Sequence, residues 1–215
     1  MTPHVLVVAK APEPGRVKTR LGVDIGMTRA AEVAAAALLD TMAAATDAVG
    51  AGRCHLSLDG DLDHAVRGAE LRKALAGWHV HPQRGRDLGA RLADAHARVP
   101  GPVVQVGMDT PHLTRDLLRG AARGLDDHDA VLGPAEDGGW WVLALRDPAD
   151  ASALSGVAMS RPTTYADTRR ALRRAGLRVA TTTTLRDVDT RADADAVAGG
   201  SPAGHFAQAW AAVAR

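Results

Sequence analysis

Short apolar, β-branched runs alternate along this chain with longer helix-forming stretches, and that alternation restricts the fold more than any other feature. Residues 4–9, 54–58, 78–81, 103–106, 130–132, 141–145 and a segment near 177–179 have the length and content of buried strands. A long Ala/Leu stretch begins at Thr28, placed as a helix cap, and stops at Gly50. Asp87 is placed to cap a helix whose Leu88, Leu92, Ala95 and Val99 share one face, with Pro100-Gly101 as its stop. Further helices are expected over 114–125, after Pro162 and in the tail. No Pro/Gly/Ser linker, repeat or low-complexity tract breaks the β-α-β order, so one α/β domain over 1–215 with a largely parallel sheet is expected.

Open α/β sheets bind ligands beyond the carboxyl ends of their strands. Four unusual segments fall at such ends: 10–21, 107–113, 133–139 and 187–190. The first carries Lys10, Arg16, Lys18 and Arg20. If it runs extended, Arg16, Lys18 and Arg20 share one side, and Gly15 lets the backbone come close to an anion. It then reads as a cradle for a triphosphate or pyrophosphate, the lysine acting as a point charge and the arginines as forks. The plainer reading is a solvated surface loop. Composition bears on the choice: of 26 basic residues only Lys10, Lys18 and Lys73 are lysine, and two of the three lie in this stretch. The spacing around Lys18-Thr19 is not that of a P-loop, and 22–26 does not match a dinucleotide-binding glycine motif.

The other three segments carry acids. Asp109 follows a buried strand, where a carboxylate can hold Mg²⁺ or serve as a turn or helix cap. Asp137-Gly138-Gly139 is either an ordinary strand-joining turn or a point of close backbone approach to a ligand. Asp187 and Asp189 fall on one side of an extended stretch, as a second candidate for metal or as the N-cap of the next helix. Asp59, Asp61, Asp63 and Glu70 imitate part of a calcium loop, but His64 stands where glycine is needed, so a solvated loop is expected. His79 and His81 alternate along a strand without an evident third ligand. No G-x-S-x-G elbow or H-E-x-x-H helix is present.

A formal charge of +1 argues against nucleic acid or an anionic membrane as partner. The single cysteine, Cys54, allows no disulfide within the chain, and residues 1–9 lack a secretory leader, so a cytoplasmic protein is expected.

Taken together the motifs resemble a known family. They are Lys-Ala-Pro-x-Pro-Gly-x-Val-Lys-Thr-Arg-Leu at 10–21, Gln83-x-Gly85-x-Asp87-Leu88-Gly89-x-Arg91-Leu92, Gly107-x-Asp109-x-Pro111-x-Leu113, Gly133-Pro134-Ala135-x-Asp137-Gly138-Gly139 and Asp187-Val188-Asp189-Thr190. The resemblance is to the bacterial glycosyltransferase family A-like group of unknown function, also called radical-SAM/selenodomain-associated transferases. That group is similar in fold to 2-phospholactate guanylyltransferase and the molybdenum-cofactor nucleotidyltransferases, in the nucleotide-diphospho-sugar transferase superfamily. The resemblance implies a three-layer α/β/α sandwich with a mostly parallel mixed sheet. It implies nucleotide phosphates at Lys10, Gly15, Arg16, Lys18 and Arg20, and a divalent cation, Mg²⁺ or Mn²⁺, at Asp109, with Asp187 and Asp189 as a second acidic pair. Gln83, Asp87, Gly89, Arg91, Asp137, Gly138 and Gly139 would frame base, ribose or acceptor. Many members have a Trp-Ser/Thr-Thr stretch where this chain has Met159-Ser160-Arg161-Pro162-Thr163-Thr164, so the acceptor does not carry over.

The expected activity is metal-dependent nucleotidyl transfer from an NTP to a small phosphorylated or carboxylated acceptor, with Lys18 and Asp109 as catalytic residues. Glycosyl transfer from an NDP-sugar is the near alternative. A noncatalytic nucleotide-binding protein is the alternative of another class.

Overall fold

The computed structural model describes residues 2–200 and 204–213. In β1 (His4–Lys10), Val5, Val7 and Ala9 alternate with Leu6 and Val8, and both sets meet apolar partners. A strand apolar on both sides must be covered on both faces. It lies inside a seven-stranded sheet ordered β3-β2-β1-β4-β6-β5-β7, where β2 is Cys54–Asp59, β3 His79–Pro82, β4 Val103–Val106, β5 Ala130–Pro134, β6 Trp140–Leu145 and β7 Val179–Thr181. All neighbours pair in parallel except β6, which runs antiparallel between β4 and β5.

Helices α1 (Thr19–Ile25), α2 (Met27–Val49), α3 (Gly68–Ala74), α4 (Leu88–His96), α5 (Arg115–Arg123), α6 (Thr164–Arg174), α7 (Arg191–Gly200) and α8 (His205–Val213) complete the chain. Residues of α2 and α5 cover one sheet face, packing on Val5, Val7, Leu56, Val104 and Val142. On the other face Leu92 and Ala95 of α4, Leu172 of α6 and the 3-10 turn Pro148–Leu154 close over Leu6, Val103, Leu132, Leu143 and Leu145. This is a mixed three-layer α/β/α sandwich, as expected. The run of alanines in α2 lets it be buried on two sides: Ala34, Ala35 and Leu38 face the sheet, while Ala30, Val33 and Ala37 meet Phe206 and Trp210 of α8.

Three expectations need correction. Residues 19–25 are helical, not an extended loop. Thr28 lies inside the first turn of α2, whose N-cap is Gly26. The last strand begins at Val179, two residues later than the pattern suggested, after a turn at Gly176 with φ 87°. No described helix is long and apolar enough to cross a membrane.

Candidate active site

The sheet order fixes where a ligand can lie. From β1 the chain steps outward through β2 to β3 and then returns to β4 on the other flank of β1, which makes the β1 and β4 ends the point where sheets of this kind bind ligands. The segments after β1 and β4 are therefore neighbours despite their separation in sequence. Because β5 and β7 run the same way, the β5–β6 turn and the segment after β7 lie at the same end.

Hydrogen bonds tie these segments together. Val188 N donates to Asp109 O at 2.9 Å, Leu185 N to Pro134 O at 3.1 Å, and Glu136 N to Leu185 O at 3.0 Å. Lys18, left-handed at φ 46° and ψ 41°, turns its side chain inward, where it is 4% exposed. Its ammonium donates to Val188 O, to Asp189 Oδ1 at 3.3 Å, and pairs with Asp109 Oδ1. Burial works against that charge, but Asp109 and Asp189 outweigh it and hold the pKa above the ordinary lysine value. Asp187 accepts from Thr110 Oγ1 at 2.7 Å. Burial pushes its carboxyl up to about 6; the Thr110 bond opposes this, and the nearby charges of Asp109 and Asp137 add to it. Among the described residues, no three His, Cys, Asp or Glu side chains stand as a ready metal-ligand set.

The plainer readings of these acids fail on geometry. Thr114, not Asp109, caps α5, through Leu117 N at 3.2 Å. Thr190 and Asp193 cap α7 reciprocally, Asp193 accepting from Thr190 N at 2.9 Å and donating its own N–H to Thr190 Oγ1 at 3.3 Å. The carboxylates of Asp109, Asp187 and Asp189 are thus free of capping duty.

Other candidates are placed differently. Arg16 folds back onto Glu13 at 2.9 Å, and Arg20 is 80% exposed with Asp189 Oδ2 at 3.6 Å, so the three cations do not share the side that an extended loop would give them. The turn and helix in this loop are the reason. Lys10 is exposed at the end of β1, and Gly15, at φ 80°, supplies a turn. Gln83 donates to Ala9 O and Ser57 O at 3.0 and 3.1 Å, closing the ends of β1 and β2. Arg91 reaches Asp59 at 3.1 Å. Asp87 caps α4 through Ala90 N at 2.8 Å. Gly89 leaves room for Leu154 O, and Gly138, at φ 90°, for Pro162 O, either of which a Cβ would meet within 2.5 Å. Asp137 bonds Gly139 N at 2.8 Å within the β5–β6 turn. Sequence reasoning read Asp59 as part of a solvated loop, whereas it ends β2 and pairs with Arg91, and it gave no role to Thr110, the hydroxyl next to Asp109.

Comparison with known proteins agrees with the fold. The family described as "Uncharacterized protein conserved in bacteria (DUF2064)" matches residues 38–161, more than half of the chain. The chain belongs to this family. No curated protein sequence matches the DUF2064 chain. Among solved structures it is similar to a Desulfovibrio desulfuricans protein bearing the provisional name nucleotide-diphospho-sugar transferase: 30% identity, 88% of this chain and 84% of that one, TM-score 0.76. The 2-C-methyl-D-erythritol 4-phosphate cytidylyltransferase of Thermus thermophilus shares the fold at 16% identity, with full coverage of both chains and TM-score 0.56. So does the manganese complex of Rv0371c from Mycobacterium tuberculosis, at 19% identity, 91% and 98% coverage and TM-score 0.51.

Proposed function

We propose that this DUF2064 protein is a transferase that binds a nucleotide beyond the β1 and β4 ends and passes its nucleotidyl group to a small phosphorylated or carboxylated acceptor. The observation that carries the reading is the convergence of Lys18, Asp109, Asp187 and Asp189, from segments after three different strands, on one point at the switch of strand order. A binding protein needs the basic loop; it has little need of carboxylates held beside it.

The donor set fits a divalent cation. Asp109 is half exposed, Asp187 lies close enough to feel its charge, and both offer hard oxygens. Mg²⁺ takes one or two carboxylates and fills its shell with phosphate oxygens and water, so two acids suffice. Asp109 and Asp187 would hold Mg²⁺ or Mn²⁺, with Asp189 beside them; when bound, the cation supplies positive charge against the phosphates. The chain's own groups do the rest. The acceptor oxygen attacks the α-phosphorus, the bond to the bridging oxygen breaks, and pyrophosphate leaves with that electron pair. Lys18 stabilises the leaving charge, with Lys10, Arg16 and Arg20 at the rim. Gln83, Arg91 and the Asp137–Gly139 turn border the base, ribose or acceptor. The sequence resemblance gives no base and the Thermus fold relative is a cytidylyltransferase, so the base is an outcome of the test.

Glycosyl transfer from an NDP-sugar is the second reading, favoured by the name of the Desulfovibrio relative. The same site would then face a departing diphosphate, with attack on the sugar carbon. Calorimetry with the four NTPs and a set of NDP-sugars, with and without Mg²⁺, tests both. Metal-dependent binding is expected in the wild type and its loss in Asp109→Asn, which keeps the side chain's size and removes its charge. Unchanged Mg²⁺–nucleotide affinity in that variant would sink the reading. Release of pyrophosphate or of nucleoside diphosphate separates the two chemistries, and binding without any release leaves the noncatalytic alternative.

A further inference from the structure

The Lys18 ammonium occupies the point that the surrounding acids make most favourable for a cation. Three oxygens face its three N–H donors: Asp109 Oδ1, Asp189 Oδ1 and Val188 O. The backbone bends to put it there, since φ 46° is disfavoured for a residue with a Cβ. Four carboxylates, of Asp109, Asp137, Asp187 and Asp189, act on one another or on Lys18, while among the described residues the cations paired with them are Lys18 and the exposed Arg20. The cleft is therefore short of positive charge even with Lys18 in place.

A divalent cation drawn to Asp109 must share a carboxylate that Lys18 already holds, and it would sit against a fixed positive charge in a partly buried site. Moving Lys18 away leaves a buried ammonium without partners unless another anion receives it. A polyphosphate is such an anion: it enters the same cleft, offers oxygens to an ammonium, and brings negative charge with the metal rather than against it.

We propose that Lys18 is an internal counter-ion that makes metal loading conditional on the nucleotide. It holds Asp109 and Asp189 while no phosphate is present and resists a divalent cation that comes alone. It exchanges onto phosphate when cation and polyphosphate arrive together. The identity of the incoming anion rests on the transferase reading above; the competition between Lys18 and a cation for Asp109 does not. The mechanism differs from a simple phosphate contact in its sign, because removing the lysine should improve the binding of metal alone.

Mn²⁺ titration of the full chain, with free Mn²⁺ followed by electron paramagnetic resonance, reads the competition directly. Lys18→Met keeps an apolar stem in a site where the side chain is 4% exposed and removes the charge. It should bind Mn²⁺ alone at least tenfold more tightly than the wild type. Preformed Mn²⁺–tripolyphosphate, followed by calorimetry, should show the reverse, with the wild type at least tenfold tighter. Equal Mn²⁺ affinity in the two proteins overturns the proposal, as does a lack of Mn²⁺ binding by a folded Lys18→Met. The wild type alone gives a reading that needs no variant: Mn²⁺–tripolyphosphate must bind at least tenfold more tightly than Mn²⁺ alone, and equal affinities overturn the proposal again. The two failures are distinguishable. If Mn²⁺–NTP binding depends on Asp109 but the Lys18 arms show no difference, only the counter-ion role falls. If Asp109→Asn leaves Mn²⁺–NTP binding intact, the transferase reading falls.

Discussion

A Cβ on Gly89 would lie 2.5 Å from the carbonyl oxygen of Leu154, in the 3-10 turn packed against α4. The glycine therefore lets helix and turn approach, and nothing about it requires a ligand. Gly89→Ala is expected to cost about 1–3 kcal/mol of stability, as overpacking does, while leaving nucleotide affinity within about twofold at a temperature where the variant is folded. Denaturant unfolding beside calorimetry checks this; a large loss of affinity with little loss of stability would return Gly89 to the binding site. The same reasoning separates residues whose type was legible in the sequence from those whose role was not. Lysine is scarce in this chain, and of the two positions singled out on that ground Lys10 is exposed while Lys18 is buried among acids. What scarcity could not reveal is its partners, because Asp109 and Asp189 lie 91 and 171 residues away. Asp87 was legible twice over, as a cap and as part of a motif; the structure accounts for its carboxylate through Ala90 N.

Strands β1, β2 and β3 place four imidazoles on the sheet face that carries α4. His4 Nδ1 lies 3.0 Å from His55 Nε2, and the His55 ring stacks on His79 and His81 at 4.8 and 6.0 Å between centroids. Behind them His96 of α4 is buried on Gln105 at 2.8 Å. Arg53 is near His4, and Arg98 and Asp94 are near His81, so positive groups outnumber the one carboxylate. Burial, then the neighbouring histidines, push His55 down to about 4; burial alone does so for His96, against a smaller opposing effect of Gln105. A histidine whose pKa is lower folded than unfolded favours the neutral form in the native state. Its contribution to stability is full above the unfolded value near 6.5 and is lost as pH falls toward 4. Each fully coupled histidine adds a slope of at most about 1.4 kcal/mol per pH unit in that window. His55→Gln should flatten the fall in melting temperature between pH 7 and pH 5 relative to the wild type; an unchanged slope would clear this layer of responsibility. At this scale the sequence was informative wherever an element is defined by its own residues. The strands, the Asp87 cap and the Gly50 stop follow local pattern. Helix α1 was missed because Lys18 enters it from a left-handed conformation with no side-chain cap, so no start signal precedes Thr19.

Across the whole molecule the decisive fact is strand order, which no local pattern contains. Periodicity supplied seven strands and the parallel bias, but the insertion of β6 between β4 and β5, and the return from β3 to β4 across β1, arise from packing at a distance. That order brings the segments after β1, β4 and β7 and the β5–β6 turn to one end, where Val188 N to Asp109 O joins the segments after β7 and β4, and the Lys18 ammonium joins both to the segment after β1. A ligand held by all of them ties the segment after β1 to those after β4, β5 and β7 and should raise the temperature at which the whole chain unfolds. At a free concentration a hundred times its dissociation constant, one ligand adds about 2.7 kcal/mol. For a chain of this size each kcal/mol is worth about 2–4 °C, so a shift of about 5–10 °C in a single transition is expected for the right nucleotide with Mg²⁺. Asp109→Asn should show at most a small part of that shift, because it loses the carboxylate proposed to receive the cation. A full shift in Asp109→Asn, or no shift with any NTP or NDP-sugar in the wild type, would mean that the convergence at the switch point serves the fold and not a nucleotide. A shift confined to a first, partial transition would place the ligand on a part of the chain that unfolds separately, away from the joined segments after β1, β4 and β7.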